Sequence, residues 1–322
     1  MKDPLISVLM PAYNHERYVA GAIRSVLAQD WPRIELLVLD DGSTDGTWAA
    51  LQELKGECER RCERVSFMRQ ENRGVCAVMN RLCRQAAGDF VAILASDDEY
   101  LPGAFVALAR PMLADRSAGV VVGQNEIMDG DGRRCYWDDR RQTFAEDGEG
   151  RYATFNAYIE AHRGVRENSA GFGDYAVLLK ANHVANGTLI RKSALDAVLP
   201  FREEAPLEDF WLHLQLAKLV RYVAVPEHTF RYRWHATNTI RRVERMEQYW
   251  WRTLEWEERH VEGLADRRWR EAFAGVYWEV RRKFGLGRIF ALDSVLTLRE
   301  RRRVLTVFGR EFVLSVRKRN VI

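Results

Sequence analysis

The chain has 322 residues, 47% hydrophobic and 30% charged, with a formal net charge of +3. That mix excludes a disordered polymer, and so small a net charge gives no ground for nucleic-acid binding. The charge is nevertheless segregated: residues 281–322 hold twelve Lys/Arg against three acids, a net +9 that leaves −6 on the rest. The cysteines are Cys58, Cys62, Cys76, Cys83 and Cys135, an odd number with no zinc-like CxxC pair. They read as unpaired thiols of a reducing compartment. No signal-like segment opens the chain and no apolar run is long enough to span a bilayer. The expectation is a cytoplasmic protein, at most peripheral at the inner face of the cell membrane.

In chain order, Leu5 to Met10 reads as a strand stopped by Pro11. Residues 16–28 read as a helix, with Val19, Ala22, Ile23, Val26 and Leu27 on one face. Ile34 to Leu39 is a second strand, and the turn after it feeds a helix from about Thr47. Residues 65–69 make a short strand and residues 75–87 a helix ended by Gly88. Phe90 to Ala95 is a further strand, Pro102 opens a helix to about Ala114, and Ala118 to Val122 is again a strand. Repeated strand–helix units imply an α/β fold with a mostly parallel central sheet flanked by helices. Residues 129–175 are polar and Gly-rich, a long excursion with room for a hairpin, and long loops are often functional. Gly187 to Arg191 resumes a strand, a short helix follows from Ser193, and Glu208 to Leu219 is helical. Arg221 to Val225 and Phe230 to Trp234 read as two strands. From about Arg242 the pattern reads as helical to the end and is rich in tryptophan.

Two acidic turns stand out: Asp40-Asp41-Gly42-Ser43-Thr44-Asp45-Gly46-Thr47 and Ser96-Asp97-Asp98. Each follows a buried-type strand, so the reading places them at the ends of neighbouring strands, where ligands bind in open α/β sheets. Crowded carboxylates need a cation or donors to hold them. Oxygen ligands suit a hard ion, Mn²⁺ or Mg²⁺, and such an ion beside a crevice suggests a diphosphate. Tyr13 offers a stacking face for a base. Asp41 can accept from a base or ribose, or can close its own turn, and Asp40 is the residue expected to brace that turn. Arg73, just before a helix, can bind phosphate oxygens.

The run Ser7-Val8-Leu9-Met10-Pro11-Ala12-Tyr13-Asn14 resembles the opening of family 2 glycosyltransferases. So do the two acidic turns, Asn72-Arg73-Gly74, Glu208-Asp209 and Tyr232-Arg233-Trp234-His235. The resemblance covers about residues 5–240. It implies a GT-A fold over residues 1–240, followed by a helical, basic C-terminal region, 241–322. It also implies a nucleotide-diphosphate sugar donor, a UDP-sugar being favoured, and inversion at the anomeric carbon. Pro11, Tyr13, Asp41, Arg73 and Asp97 would line the donor site. Asp98 would bind the metal, with His235 as a further ligand or phosphate donor and His228 as a less favoured substitute. Asp209 would be the general base, with Glu208 helping to place it. Phe230 stands where processive members carry the Gln of Gln-x-x-Arg-Trp, so transfer of one or a few sugars is expected.

The acceptor implied is a hydroxyl of a surface glycan or lipid-linked glycan. The basic tail either packs on the catalytic domain or a second subunit, which is favoured, or lies on an anionic membrane. Two rival readings are a nucleotidyltransferase, which should carry a Gly-rich loop with lysine after the first strand, and a catalytically silent sugar-nucleotide or glycan-binding module.

Overall fold

A computed structural model describes residues 3–285, except 147, 168, 170 and 181, together with the backbone of 303–307 and 310–315. The N-terminal half alternates strands and helices: β1 (Ile6–Ala12), α1 (Val19–Leu27), β2 (Ile34–Asp40), α2 (Thr47–Arg61), β3 (Arg64–Arg69), α3 (Val75–Gln85) and β4 (Phe90–Ile93). It continues with β5 (Glu99–Tyr100), α4 (Ala104–Ala114) and the long β6 (Ala118–Asp129). Strands β1 and β2 are apolar on both faces because helices cover both. Ile6, Val8 and Met10 face one layer, packing with α1, α2 and α4 residues such as Ile23, Leu51 and Phe105. Leu9, Leu37 and Leu39 face the other, with Met79 and Leu82 of α3.

Two polar residues interrupt that second face. Ser7 and Glu35 are fully buried and hydrogen-bonded to each other, and they accept from the Gly88 and Ala87 amides at 2.8 and 2.9 Å. They satisfy the turn between α3 and β4. A Cβ on Gly88 would lie 2.6 Å from Ser7 Oγ and 2.7 Å from Leu5 O, so glycine is required there by space.

The second half supplies β7 (Arg134–Trp137), β8 (Thr143–Phe144), α5 (Phe155–Arg163), α6 (Tyr175–Lys180), β9 (Leu189–Arg191), α7 (Lys192–Val198), α8 (Glu208–Leu216) and β10 (Arg221–Trp234). The central sheet runs β3-β2-β1-β4-β9-β6-β10-β5. The first four strands are parallel, β9 is antiparallel to both neighbours, and β6 and β10 pair in parallel. This is the mixed α/β, mostly parallel architecture expected. Three details differ. β2 and β4 are not adjacent but flank β1. Residues 221–234 form one strand with irregular register between Ala224 and Phe230, where two strands were read. The excursion contains the hairpin β7–β8 but also α5, whose Thr154 cap accepts from the Ala157 amide at 3.1 Å. This excursion has a core of its own, in which Trp137, Tyr152, Tyr158 and Ile159 pack with Trp234.

Helices α9 (Val243–Gly263) and α10 (Arg267–Gly285) follow. Leu254, Val261, Phe273 and Val276 join the core shared with α3, α6 and α8, so these helices pack on the α/β body. Residues Arg303–Val307 and Arg310–Ser315 pair as antiparallel strands, β11 and β12, which corrects the reading of a tail helical to its end. The expected basic residues 288, 299, 301, 302 and 317–319 lie outside the described residues. Among the described residues no helix is long and apolar enough to cross a membrane. All the cysteines are free and buried.

Candidate active site

Because β1, β2 and β4 run parallel with β1 between the others, their carboxyl ends bring Ala12–His15, Asp40–Thr47 and Leu94–Asp98 to one edge of the sheet. The loops are cross-tied there. Asn14, in the left-handed region at φ 55°, donates its amide to Ser43 Oγ at 2.9 Å and accepts from the Thr44 amide at 2.8 Å. Gly42, at φ +74°, lets the acidic turn approach the next loop: a Cβ there would lie 2.8 Å from the Asn72 amide.

Asp41 is 5% exposed. Its carboxylate accepts from Gln70 Nε2 (2.8 Å), the Arg73 amide (2.9 Å) and the Gly74 amide (2.8 Å), and so holds the loop that precedes α3. Asp40, fully buried, accepts from the Ser43 amide at 3.0 Å and pairs with Arg69 at 3.0 Å. Both carboxylates brace the turn. Pro11 does not stop β1 as expected: it pairs with Leu39, the strand runs on to Ala12 opposite Asp40, and Tyr13, directly beyond, is 45% exposed. The Arg73 side chain is exposed in the loop that leads into α3. A cleft of about 570 Å³ opens beside Gly42, Arg69, Gln70, Glu71 and Asn72.

The second acidic turn is arranged differently. Asp97 Oδ2 lies 3.0 Å from His235 Nε2 and 3.7 Å from His15 Nε2. The ligand atoms of His15, Asp97 and His235 all lie within 4.8 Å of one another. Each imidazole is held at its far nitrogen by a hydroxyl, His15 Nδ1 by Ser96 Oγ and His235 Nδ1 by Thr237 Oγ1, both at 2.8 Å. Nε2 of each ring is thereby turned toward Asp97, the orientation that metal-binding histidines take from their outer partners. Burial alone would raise the Asp97 carboxyl, but the His235 hydrogen bond and the His15 charge hold it below the usual range. Burial lowers the His15 imidazole, with Asp97 opposing.

Asp98 turns away from this trio. It is 1% exposed and accepts from the Arg233 amide at 2.8 Å and from the Asn186 side chain. Burial, then the Asp97 charge, pushes its carboxyl well above the usual range. Arg233 clamps the whole turn, donating from Nε to the Asp97 carbonyl at 2.7 Å and from Nη2 to Glu99 at 2.6 Å. Its guanidinium carbon lies 5.0 Å from the Tyr18 ring centroid, and Tyr18 in turn packs 4.8 Å from the His235 ring. The β10 register thus places His235, and Asn238 Oδ1 accepts the His235 amide at 2.6 Å to close the turn. His228 lies elsewhere, paired with Glu126 at 3.1 Å.

Glu208 and Asp209 open α8, both partly buried. Asp209 accepts from the Phe210 amide at 2.7 Å and from Asn182 Nδ2 at 2.9 Å. Burial and the Asp209 charge push Glu208 up to about 8, and burial also raises Asp209 against those two donors. Burial and the charges of Asp98, Asp97 and Asp209 raise the hydroxyl of Tyr232 in β10. The start of α8 is tied to α9, where Thr253 Oγ1 accepts the Leu207 amide at 3.1 Å. A buried Lys218–Glu257 pair at 2.6 Å, with Gln215 Nε2 and Tyr175 OH also donating to Glu257 at 2.6 Å, joins α8, α6 and α9.

Sequence reasoning singled out neither His15 nor Asn182. The signal for His15 was its position one residue past the β1 motif, beside Asn14 at the strand's carboxyl end. Asn182 lies in the stretch that resisted assignment, and no pattern marked it.

The model of the family described as Glycosyl transferase family 2 matches residues 7–176. A chondroitin synthase of Escherichia coli is 33% identical over 129 residues, 40% of this chain and 18% of that protein. The match therefore spans under a fifth of that relative's length. Among solved structures, residues 1–349 of Staphylococcus aureus TarS in complex with UDP-GlcNAc superpose with a TM-score of 0.61 at 17% identity, covering 92% of this chain and 76% of that one. The mannosyltransferase PcManGT of Pyrobaculum calidifontis, in complex with GDP-Man and Mn²⁺, gives a TM-score of 0.58 at 18% identity, covering 93% and 82%. These likenesses establish the fold as that of GT-A glycosyltransferases. With a family match that covers more than half of its length, the chain belongs to glycosyl transferase family 2.

Proposed function

We propose that the protein is an inverting, metal-assisted glycosyltransferase that moves a sugar from a nucleotide-diphosphate sugar to a hydroxyl of a glycan or lipid-linked acceptor. The observation that carries this reading is the His15–Asp97–His235 trio at the sheet end that also bears Tyr13 and Asp41. Residues 1–240 would be the catalytic domain. Residues 241–322 would be an appendage whose first helices brace it, which favours packing over membrane contact for α9 and α10.

The trio fits a divalent cation: two imidazole nitrogens and one carboxylate converge, each ring oriented by a hydroxyl. Two nitrogen donors suit Mn²⁺ better than Mg²⁺, which prefers an oxygen shell. Such an ion, when bound, would neutralise the charge that develops on the leaving diphosphate. Asp98 would support it from behind, by fixing the β10 turn that carries His235. A UDP-sugar remains the favoured donor, in keeping with the UDP-GlcNAc bound to TarS, although PcManGT holds GDP-Man.

The nucleotide side would use Tyr13 as a stacking face, with Pro11 shaping its base and Asp41 presenting the loop of Arg73. On the acceptor side, burial and the Asp209 charge push the Glu208 carboxyl up to about 8, so that Glu208 keeps its proton at neutral pH. The donors from Asn182 and Phe210 keep the charge on Asp209 and leave the proton on Glu208. Asp209 is then the base that takes the acceptor hydroxyl proton as the sugar is displaced from the nucleotide.

The test is a thermal-shift series with UDP, GDP, dTDP and CDP, each with and without Mn²⁺, because a ligand of the native state raises its stability by mass action. One nucleotide that stabilises only with metal is the expected result. Stabilisation that ignores the metal would remove the trio from the mechanism. A nucleotidyltransferase would instead respond to nucleoside triphosphates.

A further inference from the structure

The excursion between β6 and β9, with the turn after β10, carries a cluster of arginines without ion pairs among the described residues, although the Asp209 charge acts on Arg163. Arg141, one of two non-glycine residues in the left-handed region among those described, at φ 58°, lays its guanidinium over aromatic rings. Its Cζ is 4.8 Å from the Tyr158 centroid, 5.7 Å from Trp137 and 5.8 Å from Trp234. Arg241 covers the same Trp234 at 4.5 Å. Arg163, at the end of α5, donates to the backbone carbonyl of Asn182, whose side chain holds Asp209. Burial and the nearby Arg141 charge lower the Arg163 guanidinium to about 10.

The acids that could neutralise this group are engaged elsewhere. Asp138 accepts the Arg140 and Gln142 amides, both at 2.8 Å. Asp139 takes Arg151 and the Tyr152 hydroxyl, at 3.1 and 2.6 Å. Glu160 pairs with Arg166 at 2.7 Å. Among the described residues, Arg141, Arg163 and Arg241 form no ion pair. The indole N–H groups of Trp137 and Trp234, both buried, also have no acceptor. The arginine–aromatic cluster thus offers donors without acceptors and guanidinium groups without ion pairs. Guanidinium groups stacked on aromatic faces keep their planar fork free for a carboxylate or phosphate.

We propose that Arg141, Arg163 and Arg241 form a subsite for an oxyanion, a carboxylate or a phosphodiester, carried by the acceptor and held beside Asp209. The subsite rests on the functional reading above for its acceptor, and it adds a substrate class: acidic rather than neutral glycans. Its place on the Asp209 side, linked through Asn182, sets it apart from Tyr13 and Arg73 on the nucleotide side.

The test uses the full chain and tryptophan fluorescence, since Trp137 and Trp234 line the region. Three probes are titrated: a glucuronate-terminated trisaccharide, a glycerol phosphate hexamer and neutral maltotriose. One anionic probe should bind at least about tenfold tighter than maltotriose, and which one does so separates a carboxylate from a phosphodiester acceptor. That preference should weaken with added salt and shrink to about twofold or less in Arg141→Gln and in the exposed Arg241→Gln. Affinity for UDP or GDP with Mn²⁺, measured in parallel, should be the same in both variants and the parent. Equal binding of neutral and anionic probes, or a preference untouched in both variants, overturns the proposal. So does a loss of nucleotide affinity in Arg141→Gln, which would put the arginine on the donor. Failure of the parent to bind any nucleotide diphosphate while still preferring an anionic probe would sink the functional reading and leave the subsite standing.

Discussion

The two halves of the site are built from different pieces. The nucleotide side, at the ends of β1, β2 and β4, is made of loops at neighbouring strand ends tied to one another: Asp40 accepts within its own turn, and Asp41 ties that turn to the loop before α3, 32 and 33 residues further along. The acceptor side, around Glu208 and Asp209, is assembled from distant pieces: Asn182 from an irregular stretch, α5 from the excursion, and α9 from beyond β10. Every tie on the nucleotide side joins residues that lie in short strand-end motifs. The acceptor side depends on packing between elements that no motif records.

The sharpest way to separate the halves is Asp209→Asn. Loss of the base should lower transfer by about 10²–10⁴-fold, while metal-dependent nucleotide binding is retained. Equal rates in Asp209→Asn and the parent would strip Asp209 of its role and leave the protein as a binding module. Next is Glu257→Gln. Leaving Lys218 unpaired in the interior should destabilise the fold by about 3–5 kcal/mol in urea unfolding. Substrate turnover should suffer beyond that loss, because α8 is what α9 braces. A cost under about 1 kcal/mol would mean that the pair is effectively solvated.

On the cradle side, His15→Ala and Thr237→Val should each raise the Mn²⁺ concentration that gives half-maximal nucleotide stabilisation, by about 10–100-fold. An unchanged titration for His15→Ala would reduce the site to Asp97 and His235. The last comparison is a pH slope. Glu208 titrates near 8 in the native state, against an ordinary glutamate value near 4.5 in the unfolded chain. Its contribution is therefore fully present below pH 4.5 and is lost as the pH rises toward 8, because the unfolded chain releases the proton first. Glu208→Gln should flatten the stability profile across that window. Melting curves that keep the parental slope would show that the proton resides elsewhere in the pair.

Much of the cradle was legible beforehand because strands and turns are local. The alternation of strands and helices, the buried character of β1 and β2, and the placing of Tyr13, Asp41 and Asp97 at strand ends all follow from contiguous residues. His235 was reachable by its place after an aromatic strand. Where the reading missed, contacts were non-local. α5 begins in a polar stretch with one capping threonine and acquires its helical state by packing Tyr158 and Ile159 against Trp137. Residues 303–307 and 310–315, read as helix, form paired strands.

By itself, then, the sequence determined the α/β class, the family and the acidic turns, since these depend on the order of residues within single elements. Only the tertiary structure decided that β1 separates β2 from β4, and that His15, not Asp98, shares Asp97 with His235. It alone brought Arg163 within electrostatic reach of Asp209 and gathered Arg141 and Arg241 on Trp234. Each of these is a juxtaposition of side chains far apart in the chain, fixed by strand order and by the burial of β10, and distance in space is not written in any run of neighbouring residues.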